Sequence, residues 1–264
     1  MKQFLLLLLI ITATSVFAVE FDIFGYYENQ TSSVLKNNPD FFTYNKLRLD
    51  FAKEISPDIS FNSNIVFQTY HGMTSVNLLD YLPKELLADY LQETGMPIND
   101  LKKEYVINSK DEMFLDNAFL SLYQKHFNLR IGKQQIALGT GYAWNPSDIY
   151  NAKNILDPTY EKKGVNAIKL EIPFSSEGMI SSIVAIGENW EKTTKSAHLK
   201  QFLFGYDFEL SYAREQHSWV DYISMNKNAE DRDLIAFSFS GALFEIGTWS
   251  ETAFNKLSDS DNYF

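Results

Sequence analysis

Apolar and polar side chains alternate with a period of two along most of the chain. This is the spacing of a strand with one apolar and one polar face. Tyr206, Phe208, Leu210 and Tyr212 alternate with Asp207, Glu209, Ser211 and Ala213. Leu47, Leu49 and Phe51 oppose Lys46, Arg48 and Asp50, and Ile59, Phe61, Ile65 and Phe67 oppose Ser60, Asn62, Asn64 and Gln68. The same rhythm predicts strands at 21–28, 43–52, 59–70, 114–125, 128–137, from 165 onward, and at 179–187, 197–204, 206–214, 233–240 and 243–251. In 114–125 the two faces do not separate, because Leu120 and Leu122 compete with Phe119 and Tyr123.

Strand runs of about ten residues suit tilted membrane strands, whereas soluble strands average about 5–6. The connections alternate in length. Those at 54–58, 126–127, 173–178, 204–206 and 240–242 are short, and those at 29–42, 71–113, 139–164, 188–196 and 216–232 are longer. Short periplasmic turns and long outer loops are the outer-membrane arrangement. Tyr26, Tyr27, Phe42, Tyr44, Tyr70, Trp190, Phe204 and Tyr206 fall near strand ends, where they suit interfacial girdles. A soluble β-sandwich also alternates and stays as a competing architecture.

Two connections carry structure of their own. In 71–113, Leu78, Leu79, Leu82, Leu86, Leu87 and Leu91 recur at helical spacing, and Pro83 divides two short helices. Such a stripe favours packing over the mouth of a barrel rather than a ligand lid. In 139–164, Asn145 before Pro146 reads as an N-cap followed by a first-turn proline, which predicts a short helix from Pro146 to Ala152.

The run GKQQIALGTGYAWNPSDIYNAKNILDPTYEKKGVNAIKLEIP, from Gly132 to Pro173, resembles a segment of porin-like outer-membrane β-barrels of Gram-negative-type bacteria. That broad group includes alginate-export-like and substrate-selective porins. The resemblance implies an all-β fold, an antiparallel up-and-down transmembrane β-barrel with a helical extracellular loop insertion. It also implies an outer-membrane channel for passive or substrate-selective diffusion of small hydrophilic solutes. The loop 139–163 is expected to fold into the pore and constrict it.

Residues 1–18 read as a signal peptide, with Lys2, the apolar run Phe4 to Ile11 and Ala18 at the cleavage point. No later apolar run is long enough for a transmembrane helix, so a membrane-embedded chain must cross as a closed barrel. Residues 19–264 are expected to be that barrel, located in the outer membrane and truncated at its C-terminus. The expectation of truncation comes from Asn262, Ser260 and Ser258, the alternate positions back from the aromatic Phe264, which have the composition of a loop, and from a count of about eleven strands where single-chain barrels have an even number.

The charge of −11 argues against nucleic acid. Cysteine is absent, and His71, His126, His198 and His217 show no metal-ligand spacing. Asp259 and Asp261 lack the glycine and final Glu of a calcium loop. No cofactor, metal or catalytic group is expected, and the chain is read as a non-enzyme. The alternatives are a structural or adhesive barrel with a closed lumen and, behind it, an outer-membrane hydrolase, which would need a clustered Ser–His pair. The expected partners are outer-membrane lipid and a hydrophilic solute, with homo-oligomerisation left open. The candidate pore-lining residues are Arg48, Asp50, Arg130, Lys169, Glu171, Asp207, Glu209 and Glu245, which set solute preference as rings of charge or simply pair in a hydrated lumen. The candidate constriction residues are Trp144, Asp148, Tyr150, Lys153, Asp157 and Glu161. Tyr142, Trp144, Tyr150 and Tyr160 suit either sugar stacking or anchoring of the loop to the wall.

Overall fold

The computed structural model describes residues 21–34, 40–81, 83–95, 97–99, 103, 105–141, 145–150, 163–221 and 226–258. Its main feature is one antiparallel sheet of eleven strands that neighbour one another in chain order, interrupted only by an insertion. The strands are β1 (Asp22–Val34), β2 (Asp40–Ser56), β3 (Ile59–Gly72), β6 (Glu112–Gln124), β7 (Phe127–Gln134), β8 (Val165–Ser175), β9 (Gly178–Ala185), β10 (Thr194–Leu203), β11 (Tyr206–Asp221), β12 (Asn226–Leu243) and β13 (Ile246–Leu257). Among the described residues β1 and β13 are the edge strands. The signal-peptide reading of 1–18 lies outside those residues.

The insertion after β3 is closed at its base by the ribbon of β4 (Ser75–Asn77) and β5 (Val106–Asn108). Between them lie a 3-10 helix, Leu78–Tyr81, and helix α1, Lys84–Thr94. Pro83 stands at the N-cap of α1, where its missing N–H costs nothing. Gly95 ends the helix in the left-handed region. Leu79 is buried, whereas Leu86 is exposed.

Every short connection in the sheet is a tight turn. Phe204 and Gly205 join β10 to β11 with φ of +54° and +83°, the positive pair that a two-residue hairpin requires. The last turn differs from the expectation at 240–242. Strand β12 runs through to Leu243, and the chain reverses at Phe244 and Glu245, with Phe244 at φ +57°. Glu245 therefore sits in a turn at the sheet's end and not on a strand face.

The two faces of the sheet have inverted polarity. On one face Leu199, Leu210, Ile235, Phe237 and Phe254 are 41–61% exposed. They lie side by side in register across β10 to β13. Leu47, Leu120, Ile131, Ile168 and Ile180 continue this apolar face on the other strands. The opposite face is shielded yet polar. Lys46, Asn64, Asp116, Ser121, Gln134, Ser196, His198, Ser211 and Ser238 are all buried. The ambiguity of β6 is resolved by a register shift opposite Asn64 and Ile65, which places two residues against one. Beyond that shift Leu120 lies on the apolar face and Ser121 on the shielded face.

Candidate functional site

The connection from β7 to β8 shields the polar face. Ile136 and Leu138 leave β7 and are buried against Ala167 of β8 and Ile183 of β9, with Ile149, Tyr150, Val165 and Ala185 packed around them. Small side chains on the strands beneath, Ala167, Ala213 and Ala236, leave room for the loop.

The loop is then pinned at two further places. The Tyr150 hydroxyl lies 2.6 Å from Ser196 Oγ on β10. Glu251 on β13 holds the loop's backbone: Thr140 N and Gly141 N donate to Oε2, each at 2.9 Å, and Ser147 N donates to Oε1 at 2.8 Å. A carboxylate is the fitting acceptor for three converging amides. Gly139 makes the tight approach possible. Its φ is +72°, and a Cβ there would strike Ser147, Asn145 and Glu251.

These contacts fix the curvature of the sheet. Strand β13 lies six places from β7, which in a flat sheet would be roughly 29 Å at about 4.8 Å per strand. The six steps from Gln134 to Thr140 reach at most about 21 Å fully extended, and the hydrogen bond with the Glu251 side chain adds only about 8 Å, so a flat sheet would demand a straight path that Gly139, at φ +72°, breaks. The sheet is therefore curled, with the loop running across its concave, polar side.

The expected helix at Pro146–Ala152 is not formed over its described part. Residues 145–150 make turns, and 151 and 152 lie outside the described residues. The physical reason is competition for the capping groups. The Asn145 amide is turned back to donate to the Leu138 carbonyl, and the Ser147 amide is taken by Glu251. Asp148 N and Ile149 N bond to the nearby carbonyls of Asn145 and Ser147.

Seven of the eight candidate wall residues lie on the concave face. Arg48 pairs with Asp50 at 2.9 Å and approaches Asp116 at 3.9 Å. Arg130 stands opposite Lys169 in register and lies over the Phe119 ring, while Lys169 pairs with Glu171 at 2.6 Å. Asp207 faces Lys200 at 3.6 Å, and Glu209 faces His198 at 3.4 Å. Glu245, in its turn, is the exception. Of the loop candidates, Asp148 and Tyr150 are described and both are drawn into the loop's packing, not presented as free faces. Trp144, Lys153, Asp157 and Glu161 lie outside the described residues, as do Tyr142 and Tyr160.

Tyr150 acts as an anchor. Burial pushes its phenol up to about 12, with Glu215 adding to the effect and the Ser196 hydrogen bond opposing it. Ser196 in turn lies 2.8 Å from His198 Nε2. Tyr150, Ser196 and His198 thus form a hydrogen-bonded chain under the loop, and Glu209 approaches the far ring nitrogen, Nδ1, to 3.4 Å without a hydrogen bond. A Ser–His–acid order is the arrangement of an activated nucleophile. Here the tyrosine hydroxyl caps the serine oxygen and Ser196 is buried, so the chain serves to hold the loop down. Sequence reading missed Ser196 with His198 and missed Glu251. The first pair was signalled by its spacing, two apart on one strand face. The second had no local signal, because its partners lie 104–111 residues away.

No protein-family model matches the chain, and no curated protein matches it. Among solved structures, a mutant porin of Rhodobacter blastica aligns at 8% identity with a TM-score of 0.39, covering 92% of this chain and 87% of that one.

Proposed function

We propose that this chain forms the wall of an outer-membrane β-barrel that passes small hydrophilic solutes, narrowed by the loop between β7 and β8. The observation that carries the reading is the inverted polarity of the sheet. An apolar face this extensive marks contact with lipid or a partner, and a buried face of Lys, Asp, Asn, Gln and Ser marks a wetted interior. The height of the apolar band agrees. Tyr206 to Arg214 on β11 spans roughly 27 Å at about 3.4 Å per residue, or about 21 Å once tilted by about 40°, close to the lipid-facing band of such barrels. Sealing the edges is a requirement of lipid, so β1 and β13 each pair with a strand in the assembled barrel. In this reading the insertion carrying α1 and the other long connections lie on the outer side, and the Arg48, Arg130 and Glu209 clusters line the path.

The experiment is conductance in planar bilayers. Stepwise, solute-permeable channels are expected. A protein that inserts and stays silent would overturn the channel and leave the closed structural barrel. That second reading is favoured by the buried contacts under the loop, which shield much of the inner wall of β8 to β10.

A further inference from the structure

The outer surface carries a charged row where the apolar face ends towards the long connections. Lys195, Arg214, Asp233 and Lys256 stand in register across β10, β11, β12 and β13. One step towards the turns, the next outward row is Ala197, Tyr212, Ile235 and Phe254. Polarity therefore changes at one level on four strands at once. Lys195 Nζ donates to the Trp190 carbonyl at 3.1 Å and lies 3.9 Å from the centre of that ring. Arg214 donates to Asp231 at 3.3 Å, and Asp233 accepts from the Tyr212 hydroxyl at 2.7 Å.

The row is local. On β1 to β3 the apolar row Tyr27, Leu47 and Phe67 is followed by Asn29, Asn45 and Thr69, which are uncharged and hydrogen-bonded to one another. At the opposite end the outward strand positions of β10 to β13 stay uncharged up to the turns, where Phe204 and Phe244 are almost fully exposed. In a chain of charge −11, this row together with the Asp231 carboxylate paired to Arg214 sets three cations against two carboxylates, a locally positive patch.

Resting on the membrane reading above, we propose that this row on β10–β13 binds the phosphorylated headgroup of an anionic lipid. The acyl chains lie on the Leu210 and Ile235 surface, and the phosphate lies against Lys195, Arg214 and Lys256. Continuity with the apolar band and complementarity of charge select a lipid over a soluble phosphate. Arg214 has the fork geometry that suits phosphate, and the Trp190 ring beside Lys195 suits the same interfacial depth.

The test uses the whole chain in phosphatidylcholine vesicles, with spin-labelled phosphatidic acid and phosphatidylcholine as probes. Flotation with the vesicles establishes insertion. The wild type is expected to favour the anionic probe by roughly threefold or more, as a cluster of basic residues at a headgroup gives. The preference should weaken in 1 M salt. Combined Lys195→Gln, Arg214→Gln and Lys256→Gln substitution should bring the ratio to about one, whereas Lys53→Gln, elsewhere on the outer face, should keep it. A wild-type ratio of one, or a triple variant that floats and keeps the preference, overturns the proposal alone. A wild-type chain that does not float overturns the membrane reading and this proposal together. If the triple variant fails to float, the single substitutions replace it, each expected to lower the ratio in part; unchanged ratios in all three overturn the proposal.

Discussion

One carboxylate holds the loop from the far side of the sheet. Glu251 accepts from the backbone amides of Thr140, Gly141 and Ser147. A charged hydrogen bond contributes roughly 1.5–3 kcal/mol net, so removing the group should shift loop docking at least about tenfold. Channel conductance should rise in the order wild type, Glu251→Gln, Glu251→Ala. The glutamine keeps one acceptor oxygen but turns an NH2 group towards the remaining amides. Gly139→Ala should mimic the alanine variant, because its Cβ would occupy the place of the Glu251 carboxylate. Tyr150 provides a pH readout with a definite sign. Its phenol moves from an ordinary 10.0 up to about 12 when docked. The docked state is thus favoured fully below pH 10, and that contribution is lost between about 10 and 12, as the undocked phenol ionises first. A phenolate difference titration of wild type against Tyr150→Phe should show one hydroxyl ionising near the upper value. A difference centred at 10 would mean that Tyr150 is not buried against Ser196.

At the scale of the strand, side-chain parity predicts opposite effects for one kind of substitution. Leu210→Lys places a charge on the apolar face and should cost roughly 2–4 kcal/mol if that face meets lipid. Ser240→Lys, on the polar face of β12 beside Asp207, should cost little. Urea unfolding from vesicles checks both, and equal costs would contradict the assignment of faces. Strand positions were legible because period two is written locally, residue by residue. The β6 faces were not, because a bulge changes parity in mid-strand and leaves no mark in composition. The Asn145–Pro146 helix signal misled for a related reason. A cap works only while its groups are uncommitted, and here Leu138 and Glu251 take them. The last turn slipped because β12 continues through Ser240 and Gly241, residues that read as a turn, and reverses instead at a phenylalanine.

For the molecule as a whole, wall and loop are separable. On the membrane reading, the wall is a ladder of backbone hydrogen bonds that lipid would offer no alternative to, and the described part of the loop adds an apolar cluster and a few side-chain bonds. Replacing residues 142–160 with a Gly-Ser bridge should preserve heat-resistant migration in gels, raise single-channel conductance and alter charge selectivity. Unchanged conductance would place the loop outside the conducting path. Loss of the folded form would make it a brace of the wall. The sequence marked this connection as one with structure of its own, but the direction in which its described part crosses depends on curvature, which belongs to the sheet and to no single segment.

The clasp on Glu251 also has a consequence in time. Residues 140–147 are synthesised more than a hundred residues before their acceptor. Until β13 has paired with β12, the loop's amides have no carboxylate to meet. On the channel reading, the clasping of the loop at Glu251 therefore comes late, once the strand that carries the carboxylate has taken its place. On that reading, a chain stalled before that step would hold a larger bore than the finished one.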